Sequence, residues 1–530
     1  MLKVLAFVKK ALMEPVVSEN LKPKKAKPKD PTRKQLRGSS LLLGGRMLSV
    51  GINFVAQVLL VRHLSTTDFG AWAYALSVVS FCQGFAVLGL DRAITRFIPI
   101  YHEKEEYGKL FGTILLVFGS ILFTSLLMIG AFFAAPGLLA KLMAEGTEQS
   151  FALLYILIFL MPVEAFDGLM VGMFASFADP KAIFFRKHVL GPMLKFTVVL
   201  LLILLKSSAV FLAYGYLASS LLGVLMYVWL FVRLLYREGL MTKFREGALT
   251  VPFREIFAFT IPMMTSDLVS IVIHSADALL LGYFHGPEEV AFYRVVLPAA
   301  KLNSIVMTSF SMLFTPTASR LFAQQDFAGI NELYWRTAVW LAVLSFPVFV
   351  LTFSIADPLT VFLYGERYAR SGLILALLSL GYYFSAALGF NGLTLKVIGK
   401  LRYIVNVNIA AAAANVLLNL VLIPRYGALG AACGTAGTMI IHNILKQTGL
   451  RFASGLSLFD KKYLSFYALI IGSSLGLFAV QEIFEVPLYL AVVLCLLVSL
   501  YVLWVSKTKL NVKENFPELL QLPLVGKFLK

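Results

Sequence analysis

The stretch Leu59-Leu60-Val61-Arg62-His63-Leu64-Ser65-Thr66-Thr67-Asp68-Phe69-Gly70-Ala71-Trp72 is answered about 220 residues later by a second one. That second stretch is Leu279-Leu280-Leu281-Gly282-Tyr283-Phe284-His285-Gly286-Pro287-Glu288-Glu289-Val290-Ala291-Phe292. Apolar positions match apolar positions, Asp68 matches Glu288 and Trp72 matches Phe292. Each stretch runs into an apolar segment that closes on Phe-x-Pro, at Phe97-Ile98-Pro99 and Phe314-Thr315-Pro316. A short polar loop between two apolar runs, occurring twice, predicts a duplicated helical hairpin.

The duplication extends beyond the hairpin. Asp179-Pro180-Lys181 is matched by Ile398-Gly399-Lys400, and the Pro99–Pro316 and Lys181–Lys400 offsets are 217 and 219. A constant offset across separate anchors predicts two six-span lobes. Six is even, so both lobes start on the same side and their pseudo-twofold axis runs along the membrane normal.

Composition sets the class. The chain of 530 residues is 59% hydrophobic and 14% charged, too little charge to cover a soluble surface. Runs of about twenty apolar residues, enough to cross a bilayer as helix, recur throughout. The expectation is an all-α polytopic membrane protein with about fourteen transmembrane helices, two of which follow the lobes. The expected divisions are residues 1–38 (amphipathic helix and basic linker), 39–236 (N-lobe), 237–253 (linker), 254–450 (C-lobe), 451–506 (two further spans) and 507–530 (tail).

The net charge of +18 reports orientation. Sorted by loop, 36 of the 47 Lys and Arg fall on the side of the termini and 6 opposite. By the positive-inside rule both termini are expected in the cytoplasm, in a cytoplasmic (inner) membrane. The basic excess therefore calls for no nucleic acid. Met1 to Val17 places Val4, Leu5, Val8, Ala11 and Leu12 on one helical face and reads as an interfacial helix. Cys82, Cys433 and Cys495 lie in apolar spans without metal-ligand spacing. No phosphate-cradling Gly-rich loop with Lys-Ser/Thr occurs, and no outer loop is long enough to carry an enzymatic centre.

Several motifs carry a resemblance. They are Leu-Val-Arg-x-Leu-Ser-x-x-Asp-Phe-Gly at 60–70, Gly89-Leu90-x-x-Ala93-x-x-Arg96-Phe97-Ile98-Pro99, Ile261-Pro262, and Asn391-Gly392-Leu393 with Gly399-Lys400. Together they resemble polysaccharide-biosynthesis membrane proteins, the O-antigen and lipid-linked oligosaccharide flippases of the multidrug/oligosaccharidyl-lipid/polysaccharide exporter superfamily. The resemblance implies a V-shaped pair of lobes around a central cavity, alternating access, and a polyprenyl-diphosphate-linked glycan as substrate. Other polysaccharide-assembly membrane proteins are expected as partners besides the membrane lipids. The competing readings are a multidrug exporter of the same superfamily and a membrane glycan polymerase or ligase.

An ionisable side chain at bilayer depth costs at least about 2.5–3.5 kcal/mol, so each needs a reason. The cations are Arg46, Lys195, Arg294, Lys301 and Lys396, and the acids Glu164, Asp167, Asp267 and Asp277. Arg46 reads as a pyrophosphate ligand, or alternatively as a structural ion pair with Asp267, which lies at like depth in the equivalent span, or a snorkelling side chain. Arg294 and Lys301, seven residues apart, share a helical face and suit a cavity wall. Asp267, His274 and Asp277 fall near one face and could couple transport to H+ or Na+. The competing reading pairs Asp277 and His274 with Arg294. Glu164 and Asp167 are expected to neutralise Lys195. Asp91, Arg92 and Arg96 read more safely as a positive-inside anchor than as a gate. No cofactor is expected.

Overall fold

In a computed structural model of the protein the described residues are 31–87, 89–134, 137, 148–177, 179–246, 248–455 and 461–506. The expected interfacial helix of residues 1–17 and the tail 507–530 lie outside them. The described residues are helical with short connections. Eleven helices are long and apolar enough to cross a bilayer, or thirteen if each of two bent pairs is one span, against the fourteen expected.

The N-lobe contains α1 (Pro31–His63), α2 (Thr66–Val87), α3 (Leu90–Glu103), α4 (Tyr107–Ala134), α5 (Glu148–Leu157), α6 (Leu160–Ser176), α7 (Pro180–Ile183), α8 (Gly191–Leu204) and α9 (Ala209–Arg237). After α10 (Leu240–Glu246), the C-lobe contains α11 (Phe253–His285), α12 (Pro287–Lys301), α13 (Ile305–Ala323), α14 (Phe327–Ser354), α15 (Ala356–Tyr364), α16 (Ser371–Ala387), α17 (Asn391–Val397) and α18 (Leu401–Ser454). Helices α19 (Leu464–Phe484) and α20 (Leu488–Ser506) pack on α14.

Helix α18 would be about 80 Å long if straight, at 1.5 Å per residue, far beyond a bilayer. It breaks at Gly427, whose φ of 55° and ψ of −132° are non-helical and fall where glycine is favoured. The Tyr403 hydroxyl donates to the Leu445 carbonyl at 2.7 Å, and a Cβ on Gly434 would stand 2.3 Å from Asn419 Oδ1. The two arms therefore run antiparallel and face to face.

The duplicated hairpins occupy equivalent places. The α1–α2 turn carries Ser65 to Asp68, and the α11–α12 turn carries Gly286 to Glu288. Each second helix is interrupted, at Gly89 (φ 73°) before α3 and by the 3-10 turn Leu302–Ser304 before α13. The repeated prolines, Pro99 and Pro316, sit inside the helices that follow.

Three buried clusters hold the molecule together. One joins both lobes at the hairpin face, with Leu60, Phe69, Trp72 and Tyr74 beside Val290, Ala291, Tyr364 and Tyr368. Another packs α14 and α16 against α19 and α20 through Trp335, Phe346, Tyr383, Phe466 and Cys495. A third fills the opposite half of the N-lobe, around Ile94, Ile98, Phe174 and Tyr227. The lobes also touch at the face of the termini, where Tyr101 Oη of α3 donates to Glu255 of α11 at 2.8 Å. Contact at both faces replaces the open V that the resemblance implies.

Candidate functional site: a cationic cavity between the lobes

Pro298, inside α12, has no N–H to offer the carbonyl of Arg294 one turn earlier. Gln57 of α1 reaches across instead, donating to the carbonyls of Arg294 at 3.5 Å and Val295 at 3.2 Å. The helix ends at Lys301, and beside this break lies a cavity of about 500 Å3. Arg46, Asn53 and Gln57 line it from the N-lobe, and Lys301, Ser304 and Tyr382 from the C-lobe.

Arg46 and Lys301 are both exposed, and neither forms an ion pair or side-chain hydrogen bond among the described residues. Two cations from different lobes, unneutralised by protein, line a pocket whose charge suits an anion. A guanidinium can grip two phosphate oxygens at once, and an ammonium adds a point charge.

Arg294 does not line this cavity. It is half-buried in α12 with its Nε buried and without a hydrogen-bond partner. The expected cationic stripe is therefore split: Lys301 reaches the cavity, and Arg294 stays within the helix packing behind it.

Tyr382 and Ser304 also line a second chamber, of about 520 Å3, inside the C-lobe. At its back lies Asp277, 4% exposed. Its carboxylate accepts from Tyr293 Oη at 2.7 Å, Thr435 Oγ1 at 2.9 Å and Asn419 Nδ2 at 2.5 Å. No basic residue pairs with it among the described residues. The alternative pairing with Arg294 is thus overturned, because three neutral donors already occupy both carboxylate oxygens. Asn419 also donates to Asn415 Oδ1 at 3.3 Å, and its own Oδ1 is buried without a partner. Carboxylate, amide, hydroxyl and phenol groups thus cluster around Asp277. That donor set fits a hard cation such as Na+, or a proton held on the carboxylate. His274 belongs to α11, but its side chain lies outside the described residues.

Asp267 lines neither cavity. It takes the guanidinium of Arg92 in α3, so the expected opposition of Asp267 and Arg46 is not formed. The reason is the break at Gly89, which turns α3 toward α11. Next to this pair, the guanidinium of Arg96 lies 4.4 Å from the centre of the Phe259 ring. Tyr101 Oη donates to Glu255 at 2.8 Å. Arg92 and Arg96 thus join α3 to α11 across the two lobes, a contact beyond the anchor role read for them.

Glu164 meets Lys195 as expected, at 3.1 Å, and accepts from Ser220 at 3.0 Å. Asp167 does not. It pairs with Arg186, whose side chain is 8% exposed. Arg186 rides on the π-helical turn Phe184–Leu190, faces the Tyr227 ring at 5.2 Å, and lies where a Cβ on Gly223 would be 2.0 Å from its Nη2. In the sequence Arg186 stands beside Lys187 next to the Asp179-Pro180-Lys181 turn and reads as a loop charge. A compensating signal was present in the glycines of α9 and α8, Gly223 and Gly191, which leave room for a guanidinium.

Residues 35–322, more than half of the chain, match the family model described as polysaccharide biosynthesis protein. The chain belongs to the polysaccharide biosynthesis protein family. Residues 262–421 also match the MatE model. An uncharacterized membrane protein of Methanocaldococcus jannaschii is 23% identical over 76% of this chain and 81% of its own length. The succinoglycan biosynthesis transport protein ExoT of Rhizobium meliloti is 25% identical over 62% of each chain. Among solved structures, the lipid II flippase MurJ in an inward closed conformation superposes with a TM-score of 0.69 at 15% identity, covering 90% of this chain and 99% of that one. An inward-facing multidrug resistance MATE family transporter of the MOP superfamily gives 0.61 at 15% identity, over 77% and 95%. These likenesses confirm the fold of this family member, a multi-pass membrane protein of two repeated lobes.

Proposed function

We propose that the protein is a flippase that moves a polyprenyl-diphosphate-linked oligosaccharide across the cytoplasmic membrane by alternating access. The observation that carries this reading is the placement of Arg46 and Lys301, from opposite lobes and unpaired, in one cavity. A diphosphate cannot cross bare hydrocarbon, and a cavity that exchanges protein cations for water removes that barrier. Because each lobe supplies one cation, substrate binding draws the lobes together. The latch at Arg92–Asp267 and the hairpin contacts then open in turn. Asp277, with Asn415, Asn419, Tyr293 and Thr435, takes the coupling ion, H+ or Na+. Both termini lie in the cytoplasm, where the basic loops meet anionic headgroups. Residues 39–236 and 254–450 act as the moving lobes. Neighbouring membrane proteins of glycan assembly supply and receive the substrate, and no covalent step is assigned to this chain.

The relatives named as polysaccharide transporters support this reading. The MatE match keeps drug export as the second reading, but Arg46 and Lys301 oppose the cationic compounds such exporters would need to hold. The test is flipping of a fluorescent polyprenyl-diphosphate glycan in proteoliposomes. Arg46→Gln with Lys301→Gln is expected to abolish flipping while the protein stays folded. Undiminished flipping by that double variant overturns the reading.

A further inference from the structure

The C-lobe chamber holds a second pair of cations away from the first. Lys396 of α17 and Lys446 of α18 line it together with His442, and no carboxylate pairs with either lysine among the described residues. The two lysines come from different helices and face the same chamber. The Lys446 ammonium lies over Gly392, 3.5 Å from where a Cβ would stand.

Polar amides surround the pair. Asn391 Nδ2 donates to Asn443 Oδ1 at 3.1 Å, Asn443 Nδ2 donates to Ser385 Oγ at 2.8 Å, and His442 Nε2 meets Asn408 Oδ1 at 2.9 Å. These bonds fix the amides and leave further lone pairs and N–H groups for a ligand. Asn391, Asn408, Asn415 and Asn443 in one chamber form a surface suited to sugar hydroxyls. Two like charges lining one chamber, unneutralised by protein, favour a ligand that brings an anion.

We infer that this chamber is a glycan subsite that selects an acidic sugar, with Lys396 and Lys446 holding its carboxylate. The inference rests on the flippase reading, which assigns the substrate diphosphate to Arg46 and Lys301. One diphosphate satisfies one cation pair. The second pair then requires a second anion on the same molecule, and the shared lining residues Tyr382 and Ser304 set the two spaces side by side.

The test titrates the detergent-purified full chain, at low salt, with triglucuronate, neutral maltotriose and inorganic pyrophosphate. Triglucuronate is expected to bind at least about tenfold more tightly than maltotriose, from charge-assisted hydrogen bonds. Lys396→Gln with Lys446→Gln erases that preference and leaves pyrophosphate binding unchanged. Lys396→Arg with Lys446→Arg restores it. Gly392→Val, which fills the space beneath Lys446, weakens both trisaccharides alike and serves if the glutamine pair does not fold. Equal binding of the two trisaccharides to the unaltered protein overturns the proposal. So does loss of pyrophosphate binding in the lysine variants, which places the diphosphate in this chamber. Failure of the flippase reading shows elsewhere, as pyrophosphate binding indifferent to Arg46 and Lys301.

Discussion

Arg62 and Arg367 cap each other's helices across the boundary between the lobes. Arg62 donates to the carbonyls of Phe362 and Leu363 at the end of α15, the latter at 2.9 Å. Arg367 donates to those of Val61 at 2.7 Å and Arg62 at 2.8 Å, at the end of α1. Helix C-termini leave their last carbonyls without partners and carry partial negative charge, which an arginine satisfies on both counts. Here each lobe supplies the cap for the other. Thr67 adds a bond to Glu288 at 3.0 Å between the hairpin tips themselves, and a Cβ on Gly70 would be 2.0 Å from the Pro287 carbonyl oxygen.

This clasp is expected to hold the hairpin face closed. Arg62→Ala with Arg367→Ala removes several exposed charge-assisted bonds, each contributing about 1 kcal/mol. A cysteine pair at positions 67 and 288 should then cross-link at least about fivefold more slowly than in the parent, since 1 kcal/mol is a factor of about five. An unchanged rate shows that the shared apolar cluster alone closes this face.

The opposite face depends on Arg92 and Asp267. Asp267→Asn should raise labelling of cavity-facing cysteines by a membrane-impermeant thiol reagent added from the side of the termini. The exchange Arg92→Asp with Asp267→Arg should restore protection. If the exchange labels as heavily as the single variant, the pair is not a latch.

Asp277 is the residue proposed to take the coupling ion. Asp277→Asn keeps the shape and several hydrogen bonds of the site but removes the charge. Flipping driven by a Na+ or H+ gradient should fall to the level seen without a gradient, and thermal unfolding should shift little. Gradient-driven flipping that survives the substitution assigns coupling to another residue.

Arg186 and Asp167 are structural. Asp167→Ala leaves a buried guanidinium without its carboxylate, a loss of about 3–5 kcal/mol in the strongly buried limit. The expected readout is a clear fall in thermal stability in detergent, with no change in pyrophosphate affinity. Asp167→Glu should recover part of the stability. Stable protein with altered affinity reverses the assignment.

The membrane class and the duplicated lobes were legible because they depend on local properties. Apolar runs of membrane length, Gly and Pro at breaks, and a constant offset between repeated hairpins are all carried by the linear order. Arg46 and Lys301 were legible for the same reason: a cation inside an apolar run is conspicuous wherever the helix later packs. Arg186 and Lys446 were not, because both follow or precede polar residues near the ends of spans and read as loop charges. Their surroundings, Gly223 in one case and Gly392 in the other, come from distant parts of the chain.

Pairing was the part that sequence could not supply. Asp267 lies at the depth of Arg46, and depth alone makes the two opposite. The turn at Gly89 instead brings Arg92 to Asp267 and leaves Arg46 facing Lys301. Asp277 is conspicuous for its charge, but Asn419 and Thr435 both reach it only because Gly427 folds α18 back on itself. The sequence by itself therefore determined the helical membrane class, the repeat and the conspicuous charges in mid-span, since apolar length and periodicity are properties of each segment. Only the tertiary structure decided which charges are neutralised and which stay free for an anion. That depends on distances of a few ångströms between helices, and electrostatic energy inside a membrane changes steeply over that range.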